Sequence, residues 1–298
     1  SDFAVLDAAD GSVDGQISLA WITEGANSFV IDAGMQINNM ASGGDINGDG
    51  RVDILIRSTD AYILSGTELS NADAADGLTD GVIALANIAG QTNSYHFAQN
   101  NNVNRVNQIG YGGDFNNDNL SDIVLAGQLI DGGGVNNSGG SYLISATDLA
   151  GADAADGVTD GAIHVDNIIS QPDSYAFEGG TDVEGGYVIG SIGDIDGDSK
   201  DDFGLGALSA DGDAGSAGES YILHAADIAA ADAADGTADR VIALGNINVG
   251  TSYAFNGERD GDRAAFPSVA GDYNNDGTTD FAITADLGKD SGGTTVGF

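Results

Sequence analysis

Apolar positions along the chain come in short runs broken by Gly, Asn and Asp, and the same runs return four times. "VDILIRS" (52–58), "SDIVLAG" (121–127), "DDFGLGA" (201–207) and "TDFAITA" (279–285) each follow an acidic turn and read as strands. Before them stand "NSFVI", "NSYHF", "DSYAF" and "TSYAF", rich in aromatic and β-branched residues that suit a pleated surface. "GVIALANI" (81–88) and "RVIALGNI" (240–247) predict a further strand, and "GGSYLIS" (139–145) and "GESYILH" (218–224) a closing one. An Ala-rich stretch such as "TDLAGADAA" (147–155) predicts two helical turns, with Thr147 or Asp148 as N-cap and Gly157 as terminator.

Two landmarks fix the period: the acidic turn and "DAADG", found at 7–11, 73–77, 153–157 and 232–236. Together they divide the chain into units 1–66, 67–146, 147–225 and 226–298. Short strands at regular spacing, separated by tight turns, predict an all-β protein. Four or five strands in each such unit suit a β-propeller, one domain spanning 1–298, better than a sandwich. "GGTTVGF" (292–298) aligns with "GGSYLIS", so whole repeats fill the chain, which suits a closed ring of four blades, the favoured expectation, or a segment of a longer array.

The acidic turns carry the chemistry. "GGDINGDGRVDILI" (43–56) recurs as "GGDFNNDNLSDIVL" (112–125), "IGDIDGDSKDDFGL" (192–205) and "AGDYNNDGTTDFAI" (270–283). Counted from the first Asp, positions 1, 3, 5 and 9 always bear an oxygen side chain. Loop 1 offers Asp45, Asn47, Asp49 and Asp53, with the carbonyl of Arg51 to complete the shell. Loop 2 offers Asp114, Asn116, Asp118 and Asp122 with the carbonyl of Leu120. Loop 3 offers Asp194, Asp196, Asp198 and Asp202 with that of Lys200, and loop 4 Asp272, Asn274, Asp276 and Asp280 with that of Thr278. Oxygen-only ligands at alternate positions suit a hard cation, and Ca2+ fits best, about one ion per repeat. Gly50, Asn119, Ser199 and Gly277 stand at position 6, where the loop must turn left-handed. Ordinary Asx turns use the same residue types. Four copies at matching places favour the ion.

An EF-hand loop begins the same way but needs a bidentate Glu at position 12 between helices. Position 12 is Ile56, Leu125, Leu205 and Ile283, all apolar and in strand-like runs, which excludes the EF-hand and dockerin readings. The loop instead belongs at the turn of a β-hairpin.

A loop of this form, preceded by "SYAFEGG" (174–180) and followed by "DDFGLGA", resembles the FG-GAP repeat of integrin α N-terminal propellers and bacterial surface proteins. The resemblance covers all four units and implies propeller blades with Ca2+ in the hairpin loops, at the loop residues named above. Nowhere does the Gly-Ala-Pro triplet stand complete: the units give "RSTDA", "AGQLI", "GALSA" and "TADLG". Integrin propellers have seven blades, so their ligand recognition does not carry over. "ERDGDR" (258–263) is not an Arg-Gly-Asp motif.

Charge narrows the function. With 47 acidic residues against 8 Lys and Arg, the net charge is −39, and the surface repels phosphate backbones and anionic membranes. No cysteine is present, which removes disulfides and thiolate metal sites. No apolar run approaches the ~20 residues that span a bilayer, and "SDFAVLDAADG" lacks a signal peptide's basic region and long apolar core. Apart from the loops, "DAADG" and its neighbours place acids as in Asp153, Asp156 and Asp160, a second conceivable Ca2+ site or a plain turn into the next strand. His96, His164 and His224 share no local motif and read as packed or surface histidines. No G-x-S-x-G elbow, P-loop or H-E-x-x-H occurs. The sequence thus points to a non-enzymatic, extracellular or cell-surface adhesion or structural module with a protein or glycan ligand. An ancillary propeller of a secreted polysaccharide-active enzyme and a self-assembling surface-layer subunit are the rivals. Millimolar external Ca2+ would keep modest-affinity loops filled.

Overall fold

A computed structural model describes residues 2–9, 13, 22, 28–98, 106–127, 139–179, 188–207, 210, 217–258 and 263–285. The chain is mostly β, with a few short helices, and its strands form five separate sheets. The acidic loops are hairpin turns, as expected. Loop 1 joins the strands Asn39–Gly44 and Asp53–Arg57, and loop 2 joins Gln108–Gly113 and Asp122–Gly127. Loop 3 joins Val188–Gly193 and Asp202–Ala207, and loop 4 joins Ala264–Gly271 and Asp280–Ala285. Ile56, Leu125, Leu205 and Ile283 lie inside the exit strands, away from the turn.

Sheets and sequence units are out of phase. The first hairpin pairs with the closing strand Ala61–Leu64 of its own unit. That strand then takes Tyr95–Ala98 of unit 2 antiparallel, and Tyr95–Ala98 takes Ala162–His164 of unit 3 parallel. The second sheet repeats this order with its hairpin, Gly140–Ile144, Tyr175–Glu178 and Val241–Ala243. In the third, the hairpin and Glu219–Leu223 take Tyr253–Asn256 of unit 4. Strands of unit 2 are therefore divided among three sheets, and each of the three larger sheets takes an outer strand from a following unit. Two smaller sheets pair Val30–Asp32 with Val82–Ala84 and the two strands of the fourth hairpin.

Alternation explains why successive sheets stack. The exit strand Asp122–Gly127 is buried throughout. Its side chains alternate between two cores: Ile123 and Leu125 pack with Leu55, Ile63 and Phe97 of the first sheet, whereas Val124 and Ala126 pack with Ile189, Phe203 and Leu205 of the third. A strand that is apolar on both faces must have a sheet on each side.

Two local expectations need correction. "GVIALANI" is strand only over Val82–Ala84 and then turns into a 3-10 helix, Leu85–Asn87, which buries Leu85 and Ile88. The Ala-rich stretch does form a helix, Leu149–Ala154, and Gly157 (φ 91) closes it. Asp148 holds the N-cap place, yet its carboxylate makes no cap bond. It accepts instead the Asp173 N–H (2.9 Å) and the Ser174 hydroxyl (2.7 Å), tying the helix start to the aromatic strand. Residues 128–138, with most of the Gly-rich insertion, and 292–298 lie outside the described residues.

Candidate metal centres

All four acidic loops share one hydrogen-bond frame. The position-1 carboxylate accepts amides from the turn: Asp45 takes those of Gly48, Asp49 and Gly50 at 2.8, 3.1 and 2.9 Å. Asp114 takes Asp118 and Asn119, and Asp272 takes Asp276 and Gly277, every one at 2.9 Å. Asp194 takes Gly197, Asp198 and Ser199 at 2.6, 3.1 and 2.9 Å. Position 3 accepts the position-5 amide in every loop, and position 5 accepts the position-7 amide. These bonds curl the chain so that the oxygens of positions 1, 3 and 5 converge. In loop 3, Asp194, Asp196 and Asp198 each bring a carboxylate oxygen within 4.8 Å of the others. Asn47, Asn116 and Asn274 stand in the place of Asp196.

The curl needs left-handed backbone at position 6, as expected, and Gly50, Asn119, Ser199 and Gly277 have φ of 82, 65, 71 and 91°. It also needs it at position 4, where Gly48, Asn117, Gly197 and Asn275 have φ of 74, 59, 83 and 61°. Position 4 carries the same signal in the sequence, since only Gly and Asn, residues that tolerate this region, occur there.

Position 9 has a double task. Asp53, Asp122 and Asp202 are fully buried, at 0% exposure. One oxygen of each accepts the position-2 amide of its own loop: Ile46 at 3.0 Å, Phe115 at 3.1 Å and Ile195 at 3.0 Å. The other accepts an amide just past the closing strand, from Gly66, Ala146 or Ala225, at 2.9 Å in each case. The carboxylate thus pins the loop to the end of its own unit, just past the closing strand. Among the described residues no Lys or Arg forms an ion pair with these three. Burial pushes the Asp122 carboxyl up to about 8 and raises those of Asp53 and Asp202 as well. A buried carboxylate with no counter-charge either takes up a proton or recruits a cation.

No protein-family model matches the chain, and no curated protein matches it in sequence. The donor set therefore stands on its own chemistry. Loops 1, 2 and 4 present carboxylate and amide oxygens at positions 1, 3, 5 and 9 and loop 3 carboxylates alone, sets suited to a hard divalent cation. The carbonyls of Arg51, Leu120, Lys200 and Thr278 follow at position 7, each on a residue whose own N–H is held by the position-5 side chain.

Neighbouring loops touch, which no sequence pattern announced. The Ser121 N–H donates to the Asp45 carbonyl at 2.9 Å, and the Asp201 N–H to the Asp114 carbonyl at 3.2 Å. Asp201 also accepts the Asp114 amide through Oδ2 at 3.0 Å. A Cβ at Gly44 would lie 2.1 Å from Ser121 Oγ, and one at Gly113 2.4 Å from the Asp201 side chain. Loops 1, 2 and 3 are therefore strung together by backbone bonds.

The other candidates resolve differently. Asp73, Asp153 and Asp232 of the "DAADG" segments accept the amides of Gly81, Gly161 and Arg240, at 2.9, 2.9 and 2.7 Å. Asp76, Asp156 and Asp235 accept Leu78, Val158 and Thr237, as turn formers do. His96 pairs with Asp60 at 2.9 Å and stacks on Tyr62. His224, in contrast, lies on loop 3, its Nδ1 2.7 Å from Asp196 Oδ2. That bond is the main reason the Asp196 carboxyl sits below its usual range. The signal was in the alignment of closing strands, which end in Ser65, Ser145 and His224.

Proposed function

We propose that the chain is a Ca2+-stabilised β-propeller of FG-GAP type, non-enzymatic, serving as an extracellular or cell-surface adhesion or structural module. The observation that carries the cation is the buried position-9 aspartate, repeated as Asp53, Asp122 and Asp202 in one hydrogen-bond frame and without a Lys or Arg partner among the described residues. Positions 1, 3, 5 and 9 with the position-7 carbonyl would hold Ca2+, whose charge then balances carboxylates that no basic side chain offsets. Calorimetric titration of chelated protein with Ca2+ tests this: about four ions are expected, and binding of none overturns the reading.

Ring closure is supported by the sheet edges. Tyr253–Asn256 pairs on one side with Glu219–Leu223, but its equivalents Tyr95–Ala98 and Tyr175–Glu178 each carry a parallel strand on the other. Val30–Asp32 carries that parallel strand, and among the described residues no closing strand pairs with it. The matching segments of the repeat are "GQISLA" (15–20) and "GGTTVGF" (292–298). Pairing of both would close four blades into a ring. Compact dimensions in solution scattering are expected, and an extended array would overturn closure.

Self-assembly is the second reading. Tyr253–Asn256 is exposed along its whole length, and an unprotected edge strand is a template for another chain. Sedimentation with and without Ca2+ separates the two, since a closed ring stays monomeric.

A further inference from the structure

We infer that loop 3 is a mixed nitrogen–oxygen metal site, built on Asp196, Asp202 and His224, that takes a borderline divalent cation such as Zn2+ in preference to Ca2+. The inference rests on the loops being cation sites and assigns one of them a different metal.

Three observations converge on it. Asp196, Asp202 and His224 each offer a ligand atom within 4.8 Å of the others. His224 is only 6% exposed, and its Nε2 is buried with no hydrogen-bond partner. Buried polar atoms are rarely left so; the nitrogen that faces the carboxylates is Nδ1, 2.7 Å from Asp196 Oδ2, and a cation bound there would take the place of the proton in that bond. The third observation is internal to the chain. In loops 1 and 2 the corresponding contact is between an amide and a hydroxyl: Asn47 Nδ2 donates to Ser65 Oγ at 2.9 Å, and Asn116 Nδ2 to Ser145 Oγ at 3.0 Å. Loop 3 changes both partners together, to Asp196 and His224. The change adds one carboxylate and one imidazole at the same spot.

Chemistry gives the preference. Ca2+ takes oxygen ligands, whereas imidazole with carboxylate suits zinc and the neighbouring transition metals. A histidine and two carboxylates form a known kind of zinc donor set, with water able to fill the remaining place. Asp202 is held by the Ile195 and Ala225 amides, so the set is fixed on the frame of the hairpin.

The test is titration of Zn2+ into the Ca2+-loaded chain, alongside His224→Ser, which restores the residue found in units 1 and 2. Native protein should bind one Zn2+ at least about tenfold more tightly than the variant. X-ray absorption at the zinc edge should show imidazole scattering in the native protein alone. Ca2+ bound by loops 1, 2 and 4, and the Ca2+-dependent part of the melting temperature, should hardly change. Should His224→Ser fold poorly, Asp196→Asn, which copies Asn47 and Asn116, should give the same loss. Unchanged Zn2+ affinity in the folded variant, or an oxygen-only shell, overturns the inference. Zinc binding that survives while Ca2+ fails to bind anywhere would sink the calcium reading and leave this one standing.

Discussion

At the scale of single residues, the loops are built on backbone that few side chains tolerate. Gly113 has φ of 75°, and a Cβ there would meet the Asp201 side chain at 2.4 Å. Gly50 has φ of 82°, with nothing within 4 Å of the same atom. Gly50→Ala should therefore cost only the left-handed conformation, about 1–2 kcal/mol. Gly113→Ala adds a steric conflict of about 1–3 kcal/mol and separates loop 2 from loop 3. Denaturant unfolding in Ca2+ should rank them in that order, and equal losses would refute the loop contact. The position-9 aspartates set a pH dependence. The folded Asp122 carboxyl, raised to about 8 from 3.8, gives stability that is complete below pH 3.8 and lost as pH climbs through about 8. Asp53 and Asp202 shift the same way. In chelator the melting temperature should fall as pH rises through this window. Bound Ca2+ should flatten the slope, because the ion balances the charge. A chelated protein that gains stability over the same range would contradict the assignment.

Elements add coupling. Loop 2 receives an amide bond from loop 3 at Asp114 and donates one to loop 1 through Ser121. On the calcium reading, Asp114 must therefore hold its carbonyl and its side chain in one arrangement for its own ion and for its neighbour. Ordering one loop should help the next, so Ca2+ titration should be cooperative across loops 1 to 3. Asp118→Ala, confined to loop 2, should weaken binding in loops 1 and 3 as well. Site-resolved spectra showing those loops filling as in the native chain would refute the coupling. The same construction explains the empty register in each lead strand. Between Ser42 and Gly44, Tyr111 and Gly113, Ser191 and Gly193, and Val269 and Gly271, the pairing slips by a bulge. A left-handed glycine at the bulge aims the loop across to its neighbour.

For the whole molecule, the decisive quantity is charge. The position 1, 3, 5 and 9 side chains bring three carboxylates each to loops 1, 2 and 4 and four to loop 3. Two unit charges ~4 Å apart repel by roughly 4 kcal/mol at an effective dielectric near 20. Only 8 Lys and Arg serve the entire chain. An ion bound by the native state alone adds about 2.7 kcal/mol per site at a hundredfold excess over Kd. Several sites would rival the ~5–15 kcal/mol that stabilises a typical domain. Chelation should therefore lower the melting temperature by many degrees. Ca2+ should restore it far better than Mg2+, which demands a smaller octahedral shell. Sodium chloride should restore it in part, by screening. A melting temperature that chelator leaves unmoved would make the loops plain turns.

The repeat, the β class, the hairpin placement of each acidic loop and the left-handed sixth position were legible in the sequence, because all are local. A strand period of two, an Asn or Gly at a turn and alternate oxygens need only a few consecutive residues to be recognised. What only the tertiary structure decided is everything that joins distant positions. It showed that the Tyr95–Ala98 strand of unit 2 completes the sheet of unit 1, and that Asp148 serves Ser174 rather than its own helix. Full burial of Asp122, loop-to-loop bonding at Asp45 and Asp114, and His224 resting on Asp196 belong to the same group. Position 9 looks the same in the sequence whether it faces water or not; burial comes from the sheets stacked on either side. A histidine that ends one strand meets the acidic loop only when a hairpin from 28 residues earlier folds beneath it.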